Sequence, residues 1–220
     1  MTVSYVAMRY LLIPLLYVPY KLGVSARWAS RIDFGVKRAF FPLTERANEE
    51  SAQEVTPKLK IGDPIPAVNV KFQGQDVALP SLAKNRPFLL VIYRGSWCPY
   101  SRMHMSNLAE SHQAFIDAGV DILAVSTQQD GDWWKSKGVN LPLASDPEGK
   151  LFEALGVNIN TPIQHRVWGV SFPHESVFLF DRDSKLVATD VRRVSNSKLG
   201  QTFLSATKWL DLSRSSEARG

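Results

Sequence analysis

The chain has 220 residues and a single cysteine, which excludes an intrachain disulfide, a cysteine-built zinc site and a two-cysteine reaction within one chain. That length suits one domain with an extension rather than two domains. The formal net charge of +5 is unevenly placed: up to Phe41, Arg9, Lys21, Arg27, Arg31, Lys37 and Arg38 face only Asp33, and from Pro42 onward acids and bases balance. This argues against a nucleic-acid surface on the domain and for an anionic partner at the N-terminus, most simply a lipid headgroup surface.

In chain order, residues 1–41 form an apolar and basic extension. Residues 10–20 are strongly apolar but short of the ~20 residues that a membrane span needs. Extending the stretch to residues 3–23 supplies the length, with Arg9 and Lys21 able to snorkel to the headgroups. Tyr5, Tyr10, Tyr17 and Tyr20 suit an interface, whereas Pro14 and Pro19 weaken a straight helix. Three other readings stay open. One is a signal peptide, with Val24, Ser25 and Ala26 placed like a cleavage site. Another is an interfacial anchor, with Trp28, Ile32, Ala39 and Phe40 among the basic residues. The last is packing against the domain or a partner chain. Membrane association is the favoured location and the cytoplasm the alternative. Residues 42–60 read as a polar linker.

The domain is expected over residues 61–210, with 211–220 as a tail. Residues 68–72 alternate and read as an edge strand or hairpin arm, turning at 73–76. A short helical turn at 81–83 precedes the apolar strand 88–93. An amphipathic helix is expected over 102–118, a buried strand over 121–126, and a helix over 130–138 whose Trp133 and Trp134 suit core packing better than a binding surface. A further helix spans 149–155, closed by Gly156. Strands 176–180 and 186–190 form a hairpin across 181–184, and helix 199–210 closes the domain. Strands alternating with helices imply an α/β layered sheet. Residues 161–173 read as a loop able to cover the site between 93 and 101; they hold His165, Arg166 and Trp168 and lead to His174. The four histidines lack metal-ligand spacing, and no phosphate-binding or dinucleotide loop occurs. Neither a metal nor a cofactor is expected.

Cys98 falls where strand 88–93 hands over to a helix, followed by Pro99, which suits a first helical turn. Free N–H groups and the dipole at a helix N-terminus favour a thiolate over a thiol. The plainer alternative is a buried small hydrophobe. Trp97-Cys98-Pro99-Tyr100-Ser101 resembles the Trp-Cys-x-x-Cys site of thioredoxin-fold proteins, with Ser101 in place of the second cysteine. Residues 91–100 are similar to a peroxiredoxin-like branch of the alkyl hydroperoxide reductase / thiol-specific antioxidant family. Ile61-Gly62-Asp63-Pro64-Ile65-Pro66, Leu141-Pro142-Leu143-Ala144-Ser145-Asp146-Pro147-Glu148-Gly149 and Val177-Phe178-Leu179-Phe180-Asp181 resemble further landmarks of that family in order and spacing.

The resemblance implies a thioredoxin-like, peroxiredoxin-like fold and a single-cysteine thiol oxidoreductase. Cys98 is then the nucleophile, oxidised by a peroxide or a disulfide and resolved by an outside thiol, glutathione or a thioredoxin-type protein. Arg94 and Ser101 support the thiolate, Trp97, Pro99 and Tyr100 flank it, and Pro173, His174 and Glu175 lie across from it. The Cys-Pro-Tyr-Ser tetrad also resembles monothiol glutaredoxins. Three positions depart from the family pattern. Gly95 stands where a threonine is usual, Glu175 where an arginine is usual, and Pro173 two residues from the place of a cis-proline. The rival function is a membrane-tethered binding module that keeps the fold with little turnover.

Overall fold

The computed structural model describes residues 56–83, 85–96, 98–157, 159–160, 172–191 and 205–217. The N-terminal extension, most of the linker, Trp97 and the loop residues His165, Arg166 and Trp168 lie outside the described residues. So does the expected anchor; among the described residues no helix is long and apolar enough to cross a membrane.

Strands β1 (Asn69–Phe72) and β2 (Gln75–Ala78) form the first hairpin, which leads into a 3-10 turn at Leu79–Leu82. Strands β3 (Phe88–Ile92), β4 (Asp121–Ser126) and β5 (Leu143–Ser145) follow. A two-stranded ribbon pairs β6 (Ile159–Asn160) with β7 (Phe172–Pro173). Strands β8 (Ser176–Phe180) and β9 (Leu186–Val191) complete a seven-stranded sheet ordered β2-β1-β5-β4-β3-β8-β9. The helices are α1 (Pro99–Glu110), α2 (His112–Asp117), α3 (Gly131–Ser136), α4 (Lys150–Leu155) and α5 (Ala206–Glu217). This is the expected α/β layered sheet.

Central strand β3 is buried on both faces, as its unbroken apolar run requires. It pairs in parallel with β4 and antiparallel with β8. Its period of two divides the core. Phe88, Leu90 and Ile92 join Phe152, Phe178 and Phe180 on the α4 side. Leu89, Val91 and Tyr93 join Met105, Phe115, Trp134 and Trp209 under α1, α2, α3 and α5. Burying an indole such as Trp134 contributes on the order of 4 kcal/mol from area alone. Trp133 packs edge-on against it, centroids 4.9 Å apart, so the pair belongs to the core side of α3.

Several elements differ from expectation. The helix after Cys98 is broken at Ser111 (φ −97°, ψ 0°), which turns the chain so that Phe115 enters the core and its carbonyl accepts the Val120 N–H at 2.9 Å. Residues 143–145, which the sequence showed only as part of a family landmark, form a strand because β4 and β1 supply partners on both sides. The Asp146 carboxylate after it accepts the Lys150 and Leu151 N–H groups at 3.2 and 2.8 Å, anchoring α4. Residues 199–204 of the expected closing helix lie outside the described residues; the described helix runs over Ala206–Glu217, past the expected end at 210. Its start is set by Ser205, whose Oγ accepts the Lys208 N–H at 3.2 Å. Buried Trp209, Leu210 and Ser213 carry its inner face past the point where a tail was expected. Residues 56–60, expected as linker, touch the domain: the Lys58 N–H donates to the Leu155 carbonyl at 3.0 Å, and Leu59 packs on the α4-side core.

Candidate active site

The antiparallel β3–β8 pairing sets Ile92 opposite Ser176. The residues just after β3 and just before β8 therefore meet at one end of the sheet. Arg94 to Cys98 come from the first side, and Pro173, His174 and Glu175 from the second.

Cys98 is the N-cap of α1, with φ −85° and ψ 120°. Its carbonyl accepts the Arg102 N–H at 3.0 Å, which starts the helix, and its own N–H donates to the Gly95 carbonyl at 3.1 Å. Gly95 has φ +135°, a backbone conformation that a threonine adopts only with strain. Glycine at this position, where the family pattern has threonine, thus suits the backbone conformation of the loop before the cysteine.

That loop is held from below by residues that the sequence did not single out. The Asp130 carboxylate accepts the Ser96 N–H at 2.6 Å and the Tyr93 hydroxyl at 2.7 Å. Burial, then the neighbouring Asp130 charge, pushes the Tyr93 phenol well up, so it remains a donor. The Arg102 Nε donates to the Ser96 carbonyl, and its guanidinium lies 4.9 Å over the Trp133 ring. Arg102 was legible only as the fourth residue after Cys98. Asp130 lies too far along the chain for spacing to connect it.

The site itself is a buried cluster. Arg94 is 5% exposed, Cys98 2%, Ser101 0% and Glu175 1%. The Cys98 Sγ lies 4.0 Å from Arg94 Nη1 and 4.0 Å from Glu175 Oε1. Ser101 Oγ accepts the Arg94 N–H at 3.1 Å and donates to the same Glu175 Oε1. Four of the expected site residues are therefore brought together. Pro99 and Tyr100 lie on the first turn of α1. Pro173 and His174 are buried at the far side, with the His174 carbonyl accepting the Ser176 hydroxyl at 3.2 Å. No peptide bond among the described residues is cis, and no group of three His, Cys, Asp or Glu among them is placed to hold a metal ion.

The expectation that the helix end favours a thiolate is corrected. Burial, and after it the Glu175 charge, push the Cys98 thiol up, against the smaller opposing influences of Arg94 and Ser101. A dipole at a helix end stabilises an anion by about 1 kcal/mol, which loses to desolvation of a fully buried group.

The model of the AhpC/TSA family matches residues 61–189. The chain belongs to the AhpC/TSA family. Membership places it among thiol peroxidases and oxidoreductases. Its fold is that of solved peroxiredoxins. Peroxidoxin BcpB from Mycobacterium tuberculosis superposes with a TM-score of 0.56 at 19% identity, covering 71% of this chain and 97% of that one. Reduced Prx3 from Vibrio vulnificus gives 0.59 at 15% identity, covering 71% and 99%. Peroxiredoxin 5 from Alvinella pompejana gives 0.58 at 18% identity, also covering 71% and 99%. No curated protein matches the sequence. In this family member the late-strand position expected to carry arginine holds Glu175, and the cation beside the sulfur is Arg94, from the other side of the site.

Proposed function

We propose that this protein is a single-cysteine thiol oxidoreductase. The observation that carries the reading is the position of its one thiol, capping α1 while facing a buried arginine and a buried glutamate. The Cys98 sulfur attacks one oxygen of a hydroperoxide. An S–O bond forms, the O–O bond breaks, and the products are a cysteine sulfenic acid and water or an alcohol. With a disulfide substrate the same attack forms a mixed disulfide and releases one thiol. Ser101 cannot resolve either product, so an outside thiol condenses with the sulfenic acid, releasing water. A second outside thiol then displaces Cys98 from the mixed disulfide. Arg94 stabilises negative charge on the sulfur as it develops. The high thiol pKa also suits the rival reading of a slow thiol-trapping module. Challenge of the reduced protein with hydrogen peroxide, an organic hydroperoxide and a glutathione mixed disulfide separates the two. Turnover in the presence of excess thiol supports the enzyme, and a Cys98 that stays reduced with all three overturns it.

Ser101→Cys tests the absence of internal resolution. Ser101 Oγ and Cys98 Sγ both contact Glu175 Oε1, so a sulfur at 101 would stand beside the first. Mild oxidation of the variant should give mainly a closed monomer lighter by about two hydrogens, the mass loss of one disulfide. Mass spectra showing only sulfinic acid or glutathione adducts would count against this arrangement of the two side chains.

A further inference from the structure

We propose that Glu175 is the proton acceptor for Cys98, taking the thiol proton as the sulfur attacks and passing it to the leaving oxygen or sulfur. The inference rests on the oxidoreductase reading and assigns a role that the family pattern, with its arginine at this position, would not supply.

The argument begins with what faces the sulfur. From the loop after β3 comes the Arg94 guanidinium, 4.0 Å away, which has no acceptor atom. From α1 comes the Ser101 hydroxyl, whose oxygen already accepts the Arg94 N–H and whose hydrogen is given to Glu175. From the segment before β8 comes Glu175 Oε1, 4.0 Å from Sγ, preceded in the chain by buried His174. The only carboxylate contacting Cys98 among the described residues is thus held by a hydrogen bond at the oxygen nearest the sulfur. Catalytic hydrogen bonds are often long before substrate binds and tighten in the reacting complex.

The site also needs such a group. Burial and the Glu175 charge hold Cys98 largely as the thiol near neutrality, and the thiol is a weak nucleophile. A carboxylate that merely raised the thiol pKa would oppose the reaction. One that accepts the proton converts the same contact into assistance, because the negative charge moves from oxygen to sulfur beside Arg94. With a hydroperoxide, sulfur gives up two electrons, the S–O bond forms and the O–O bond breaks. The proton then passes from Glu175 to the departing oxygen as water or alcohol. With a disulfide it passes to the departing thiolate.

The test is the second-order rate of Cys98 oxidation by hydrogen peroxide against pH, for the full-length wild type and Glu175→Gln, with iodoacetamide alkylation in parallel. If thiol and carboxylate act as a pair sharing one proton, the wild-type oxidation rate is flat from about pH 6 to about pH 8, below the thiol ionisation. In Glu175→Gln oxidation should be at least about tenfold slower at about pH 7 and climb about tenfold per pH unit. Alkylation must lose the same thiol proton, so it should slow as well and take up the same climb with pH. Both reactions speeding up in Glu175→Gln would show a charge that only restrains the thiol, overturning the proposal while leaving the oxidoreductase reading intact. A wild-type oxidation rate that itself climbs with unit slope overturns it too, whether or not the variant folds. A wild type oxidised by neither peroxide nor disulfide removes both readings.

Discussion

Cys98→Ser is expected to abolish thiol-dependent turnover and leave the fold standing. Cys98 is the only cysteine in the chain, so no second sulfur can form the sulfenic acid or mixed disulfide. A serine hydroxyl near neutral pH cannot replace it, since its alkoxide is scarcely populated and an oxygen forms neither a sulfenic acid nor a mixed disulfide. The loss should be at least about a thousandfold, down to the rate without protein. Stability should change by no more than about 1 kcal/mol. The substitution removes little volume, the cysteine makes no side-chain cap to α1, and serine is itself a favoured N-cap residue. Turnover assays with each oxidant, run beside thermal melts, decide the matter. Residual activity above the no-protein rate would place the chemistry elsewhere, and a collapsed melting temperature would mean that Cys98 is a core residue first.

How far the sequence revealed this site depended on distance along the chain. Arg94, Cys98 and Ser101 lie within one strand-to-helix handover, so an apolar run, a proline and a helical period sufficed to bring them together. Glu175 came from the other side of the sheet. It was legible only through the family pattern, as a departure from it, and the β3–β8 register explains why it arrives at the sulfur. The sign of the thiol pKa was not legible. A helix N-terminus is visible in a sequence, but the depth at which it is buried is a property of the packed domain, and burial is the larger influence on Cys98. The Asp130–Ser96–Tyr93 bonds were invisible for a related reason: an aspartate before a short helix looks like a cap, yet this one gives its two oxygens to another loop. Three-residue β5 shows too little alternation to declare itself. The far end of α5 was set short because its polar last turns, which bury Ser213 rather than an apolar residue, look like a tail.

Gly156→Ala should destabilise the domain more than any other single-methyl addition at a positive-φ glycine whose surroundings are described. Gly156 ends α4 at φ +74°, where a side chain costs about 1 kcal/mol. Beyond that, an added Cβ would stand 2.5 Å from the Lys58 backbone nitrogen and 2.8 Å from its Cγ. The nitrogen cannot yield cheaply. Its N–H is bonded to the Leu155 carbonyl, and Leu59 beside it packs on the α4-side core. Moving it forfeits roughly another 1 kcal/mol of hydrogen bonding and a similar amount of apolar burial. The sum is about 3 kcal/mol, or a fall of about 10 °C in Tm for a domain of this size. Gly138→Ala is the control. It has nearly the same φ, +76°, but nothing within 4 Å of the added carbon, so it should lose only the backbone cost of about 1 kcal/mol. Equal losses in the two variants, measured by urea or thermal unfolding, would show that residues 56–60 do not pack on α4 and that the domain begins at residue 61. A threefold larger loss in Gly156→Ala places its first packed residues before that point, within what composition alone marks as linker.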